Sequence, residues 1–256
     1  MPEGSSRVLD WVCRHCGGAG YTLSLLGAAV GQLPAVARKR GEIVRQLDRA
    51  VFGSLFVTFI VALFTGMILA LQAGIELSRW GQESSVGLLV SASMVREMGP
   101  VMTAFILAGL VGSTMAAELG TMRVSEEIDA LQVMSINPVR YLVMPRVLAL
   151  ALACPILTVF VDVIGVAGGA VVARSLLGVD YQTYFDKARD VLAVRDIAGG
   201  LLKAFVFGVT IATIGCSQGL RAENGAEGVG QATMRAVVMA FVYILIFDYL
   251  VAWMLY

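Results

Sequence analysis

The sequence holds a single histidine, and no GxxxxGK[ST] phosphate loop occurs anywhere in its 256 residues. No catalytic constellation is visible, and nucleotide binding through such a loop is excluded. Charged residues make up only 15% and sum to a formal net charge of zero, so bulk charge gives no reason to expect a nucleic-acid partner. Cysteine is scarce too: of four, Cys154 and Cys216 lie inside apolar runs as small buried thiols, which leaves no disulfide framework. Cys13 and Cys16 flank Arg14 and His15, half of a usual zinc site with no second pair elsewhere, so no metal is expected. What the chain has in quantity is apolar sequence. With 58% hydrophobic residues and a mean hydropathy of +0.80 it reads as an integral membrane protein.

Five apolar runs are long enough to cross a bilayer: about Val51 to Ile75, Met98 to Ala117, Val147 to Ala173, Ile197 to Leu220 and Ala236 to Tyr256. The second has twenty uncharged residues between Glu97 and Glu118, which at ~1.5 Å per residue spans the ~30 Å hydrocarbon layer. The expected fold is therefore all-α, with an interfacial region over 1–50 and a five-span domain over 51–256. No internal repeat is detectable. An odd number of spans puts the termini on opposite sides. With the amino terminus cytoplasmic, twelve Lys and Arg fall inside against seven outside, the heaviest cluster preceding the first span.

The first fifty residues lack a full span. Ala19 to Leu33 is apolar but short, and it suits an interfacial or re-entrant segment. Reading it as a cleaved signal peptide would strand Arg38, Lys39, Arg40, Arg45 and Arg49 on the wrong side of the next span. Winding 36–51 as a helix gathers Val36, Ile43, Val44, Leu47, Ala50 and Val51 in one sector. The charged residues lie opposite, except Arg40. Such a helix is expected along the anionic leaflet, as an anchor or with Arg40 and Arg49 reaching lipid phosphates. On the outer side, Val86 to Val95 is too short to cross and is expected as a surface helix broken from the second span at Gly99-Pro100. Residues 174–195 carry Tyr181, Tyr184 and Phe185, suited to the interface.

Between the second and third spans the character changes abruptly. Glu118, Arg123, Glu126, Glu127 and Asp129 crowd a segment that Asn137-Pro138 ends. A short helix over about 125–135 is expected, with Ser125 as its cap and the glutamates at its positive dipole end. Ile128, Leu131 and Met134 recur at three-residue spacing and give it one apolar stripe. From spacing alone the helix either docks on a partner or lies on lipid headgroups.

The run E-M-G-P-V-x-T-A from Glu97, A-A-E-L-G-T-M-R-V-x-E-x-I-D-A-L-x-V-M from Ala116, and N-P-V-R-Y-L-V-x-P-R from Asn137 resemble the signature of the MlaE permease family. These are membrane subunits of ABC transporters that move lipids together with MCE-domain proteins. The resemblance covers roughly fifty residues specifically and weakens over the first fifty. Many members carry Arg after the Ala-Gly of this span, whereas here Leu110 follows Ala108-Gly109. Five spans make a thin wall for a lipid, so a homodimer with ten spans around a two-fold cavity is expected. The resemblance implies a cytoplasmic ABC ATPase dimer (MlaF-like) holding ATP and Mg, and a periplasmic MCE hexamer (MlaD-like). It also implies a small STAS-domain protein (MlaB-like) as accessory, phospholipid as cargo, and residence in a bacterial inner membrane. No cofactor is expected in this chain, and it is not expected to be an enzyme. Glu118, Arg123, Glu126, Glu127, Asp129, Leu131 and Met134 are then the residues expected to couple to the ATPase.

Ionisable groups within the spans are the remaining candidates, because each is costly there unless paired or hydrated. Asp162 lies near the middle of the third span, Asp248 just past the middle of the fifth, and Lys203 about two turns into the fourth; Arg96 and Glu97 open the second. Lys203 either snorkels to the surface or pairs with Asp248 or Glu97 beside a wet cavity. Gly109, Gly112, Gly165, Gly168 and Gly169 are expected to permit close helix packing. Two classes of function remain: an ABC-type phospholipid permease maintaining outer-membrane asymmetry, and a proton-coupled secondary transporter of an amphiphile using Asp162 and Asp248. A membrane scaffold is the non-transport reading.

Overall fold

The computed structural model describes residues 20–29, 31 and 39–255; Cys13, His15, Cys16 and the stretch 36–38 lie outside them. Every regular element among the described residues is helical. In chain order they are α1 (20–29), α2 (Arg40–Ser78), α3 (Val86–Ser93), α4 (Gly99–Leu107), α5 (Ser113–Val124) and α6 (Glu127–Val133), then α7 (Met144–Leu176), α8 (Tyr181–Val191), α9 (Val194–Leu220) and α10 (Gly225–Leu255). Wide π-helical turns at Met94–Met98 and Ala108–Gly112 join α3, α4 and α5 into one rod, Glu83–Val124. A third, Val139–Val143, extends α7 backwards. Among the described residues, five helices are thus long and apolar enough to cross a membrane, as hydropathy predicts.

Two expected breaks are absent. The basic segment thought to lie flat before the first span is, from Arg40 onward, the first turns of that span, so residue 50 falls inside a continuous helix. The cause is a single inward stripe: Ala50, Ser54, Thr58, Ala62, Gly66, Ala70 and Gly74 recur every fourth residue and are all buried. Nor does Gly99-Pro100 break the second span. Proline has no N–H to give the carbonyl four residues back. Here the preceding turn widens instead, and Gly99 N bonds Met94 O, five residues back. Pro145 is accommodated in the same way, with Met144 N on Val139 O. Because the rod is unbroken, Val86, Val90 and Met94 are buried and α3 is not a surface helix.

Small residues set the helix spacing. A Cβ on Gly66 of α2 would stand 1.8 Å from the Gly165 carbonyl oxygen of α7, and one on Gly168 would stand 2.7 Å from Leu63 O. On α9, a Cβ at Gly200 would meet Val95 O at 2.3 Å. Such approach lets dispersion hold helices that gain nothing from hydrophobic burial in lipid. Gly112 and Gly169 also pack closely, whereas Gly109 faces open space, contrary to expectation. Leu107, Leu150, Leu157, Phe207 and Ile211 lie in one core, and Val86, Val90, Met94 and Tyr184 in a second. Tyr184 of α8, expected at the interface, is fully buried and donates its hydroxyl to Val166 O at 3.1 Å. Phe52, Phe56 and Phe64 of α2 and Leu245, Tyr249 and Trp253 of α10 remain exposed, an apolar exterior suited to hydrocarbon. Cys154 and Cys216 are free and buried, as their apolar setting suggests. At one end α1 seats Leu25 and Ala29 in the first core, and its Thr22 bonds Ser217 at 2.8 Å.

Candidate functional site

Toward the end of the bundle where α9 begins, Lys203 is fully buried. Its Nζ lies 2.6 Å from Glu97 Oε2 and 3.0 Å from Asp248 Oδ1, so it pairs with both carboxylates that the sequence offers and does not snorkel. It also donates to Arg96 O at 3.2 Å. That carbonyl is the one Pro100 leaves without its α-helical donor, so an ammonium on α9 replaces the missing amide of the second span. The carboxylates open outward: Glu97 and Asp248 side chains are 37% and 20% exposed, against 0% for Lys203. Beside them the Arg96 guanidinium grips Asp196, Nε to Oδ1 at 2.9 Å and Nη2 to Oδ2 at 3.0 Å. Asp196 was not singled out from the sequence. Its signal is positional, an acidic residue in the first turn of α9 whose carboxylate also accepts from Ala193 N at 3.2 Å. Asp162 stands apart from this network. Its Oδ1 finds no hydrogen-bond partner among the described residues and lies over Gly99, where a Cβ would be 1.8 Å away.

The opposite end carries a second cluster. Glu118 accepts from Arg146 Nη2 at 2.8 Å and from Arg49 Nη1 at 3.2 Å. It therefore ties the ends of α5, α7 and α2 together instead of pointing wholly outward. Arg49 remains 62% exposed beyond that bond, and Arg40 is exposed.

Between α5 and the third span, α6 is shorter than expected. Ser125 does not cap it: its hydroxyl donates back to Thr121 O at 2.8 Å. Glu126 instead turns the chain in a left-handed conformation, φ 60°, and Ser135 at φ 60° follows its end. Asn137 starts the next helix, its Oδ1 accepting from Val139 N at 2.9 Å. The expected apolar stripe divides. Ile128 is buried, Leu131 half-buried, and Met134 joins Val133 as an apolar edge 68% and 86% exposed. Glu126 and Glu127 are exposed beside it, while Arg123 pairs with Asp129 across the α5–α6 joint.

Among the described residues, five crossing helices, an ion network around a buried Lys203 near one end and a short helix at the other define a multi-pass, all-α membrane protein. The model of the family described as Permease MlaE matches residues 43–254, and the chain belongs to the MlaE permease family. It is 34% identical over 245 residues to the intermembrane phospholipid transport system permease protein MlaE of Haemophilus influenzae, covering 95% of this chain and 92% of that protein. A probable ABC transporter permease protein of Synechocystis is 39% identical, covering 85% of this chain and 82% of its own. The chloroplastic protein TRIGALACTOSYLDIACYLGLYCEROL 1 of Arabidopsis thaliana is also 39% identical, over 82% of this chain and 60% of its own length.

Proposed function

We propose that this chain is the permease subunit of an ATP-driven, ABC-type phospholipid transporter. It sits in a bacterial inner membrane with its amino terminus cytoplasmic and its carboxyl terminus periplasmic, and passes lipid to or from a periplasmic MCE protein, maintaining outer-membrane asymmetry. The observation that carries the reading is α6, a seven-residue helix held between two spans with Val133 and Met134 exposed beside Glu126 and Glu127. A proton-driven carrier has no need of such a ledge, whereas an ATPase groove with basic edges fits it. The phospholipid-transport and ABC-permease names of the relatives support the same reading. ATP and Mg belong to the partner ATPase, and no cofactor to this chain.

Closure of the ATPase dimer moves α6. The pair of Arg123 with Asp129 passes that motion to α5, and Glu118 passes it to α2 and α7 through Arg49 and Arg146. A homodimer supplies ten spans around a two-fold cavity. There acyl chains meet apolar side chains, and the headgroup meets Arg96, Glu97 and Asp248, with Lys203 holding the two carboxylates from within. Asp162, with its unpartnered Oδ1, is the observation that keeps a proton-coupled carrier as the second reading.

The test replaces Val133 and Met134 by Asp. Loss of ATPase copurification with the bundle still folded is the expected result. Lipid movement that persists in these variants and follows a proton gradient without ATP would sink the proposal.

A further inference from the structure

We propose that the end of the molecule remote from Lys203 holds a second, resident ligand: a phosphate group, bound between the start of α2 and the start of the third span. A cavity of about 120 Å³ opens there, lined by Lys39, Glu42, Gln46, Tyr141 and Arg146 among others. It is large enough to admit a phosphate group.

Arg146 carries the argument. It is 6% exposed, and of its guanidinium only Nη2 is engaged, on Glu118. Its Nε and Nη1 have no acceptor among the described residues. A buried guanidinium that lacks acceptors at two of its nitrogens, on a side chain that lines a cavity, calls for an anion with several oxygens. Lys39 supplies a second cation, its Nζ held 3.8 Å above the Tyr141 ring centroid. Glu42, the one carboxylate among the described residues of the wall, is already engaged by Arg45 at 3.5 Å and by Gln46 Nε2 at 3.2 Å. The site lies where both helices leave their apolar runs, at 39–46 and 141–146, which is where a spanning helix meets lipid phosphates. Bound there, a phospholipid pins α2 to α7 and is not the transported molecule of the Lys203 end.

The test uses the full chain, purified in mild detergent and stripped of lipid. Native mass spectrometry follows titration with phosphatidylglycerol, with a diacylglycerol of the same acyl chains, and with phosphatidylglycerol in competition with inorganic phosphate. The wild type is expected to hold one phosphatidylglycerol per chain that Lys39→Ala binds about tenfold more weakly. Arg146→Lys, which keeps the charge and loses the fork, is expected to match it. Should that variant not fold, Tyr141→Ala takes its place. Inorganic phosphate that binds in a Lys39-dependent way while the lipid does not would identify free phosphate as the source. Folded variants that bind phosphatidylglycerol and phosphate as the wild type does, or a wild type that holds diacylglycerol equally well, would overturn the proposal. Because the readout is occupancy, the result is independent of whether the chain transports lipid with an ATPase.

Discussion

The two ends of the bundle carry ion triads of opposite sense. At one, a cation sits between two anions, Lys203 with Glu97 and Asp248; at the other, an anion sits between two cations, Glu118 with Arg146 and Arg49. Each triad draws on three different long helices, so each acts as a rivet across the bundle. They differ in which member is sealed. Lys203 is wholly buried and its partners reach outward, whereas Glu118 is 35% exposed and it is Arg146, at 8%, that is enclosed. A central buried charge depends on every partner it has, while a central half-exposed one is shared with water. The Lys203 end should therefore be the more fragile, and more tightly tied to backbone shape.

The strongest test of that contrast is Lys203→Met. It leaves Glu97 and Asp248 facing each other and removes the ammonium that donates to Arg96 O. A loss of about 3–5 kcal/mol is expected, the usual effect of removing one partner from a buried pair. Thermal unfolding in detergent measures it, and adding Asp248→Asn should recover part of it. An unchanged midpoint would mean that the triad contributes nothing to the fold. Glu118→Ala at the other end should lose less, about 2–3 kcal/mol, because the half-exposed position that Glu118 vacates lets water reach the Nη2 of Arg146 it served. Equal losses at the two ends would erase the distinction.

A finer test concerns the backbone. Pro100→Ala returns an amide to the second span, and Arg96 O then has a helical donor of its own. Lys203→Met should consequently be about 1 kcal/mol milder in that background, measured as the coupling in a double-mutant cycle. Zero coupling would show that Lys203 serves only the carboxylates.

The five spans were legible because hydropathy over some twenty residues depends on no partner. The pairing of Lys203 was legible only as one of two outcomes, the other being snorkelling, with Glu97 or Asp248 as the partner. A charge inside an apolar run needs an opposite charge or a way out, and burial decides it for both carboxylates. The Glu118 triad was not legible. Glu118 and Arg146 stand 28 residues apart, in a stretch whose polarity suits a ledge facing outward, and only the approach of α5 to α7 brings them together. Asp196 was hidden because it lies at the polar edge of α9, where an acid is unremarkable by composition. The continuity through Gly99-Pro100 was missed for another reason: proline signals a lost hydrogen bond, not how a neighbouring turn widens to absorb the loss. Ser125 had the chemistry of a cap, but the left-handed turn at Glu126 took over the start of α6 and left the serine bonded backwards.

The smallest effect belongs to the outermost member of either triad. Arg49 reaches Glu118 at 3.2 Å yet stays 62% exposed, so its pair is screened and its side chain must be ordered to make it. Arg49→Ala should cost about 0.2–1 kcal/mol, and the loss should shrink further as salt is raised. Arg146 already holds the other oxygen of Glu118, so the carboxylate is not stranded when Arg49 is removed. If Arg49→Ala instead destabilised the protein as strongly as Glu118→Ala, Glu118 would behave as a sealed group. The difference between the two ends would then reduce to sign alone.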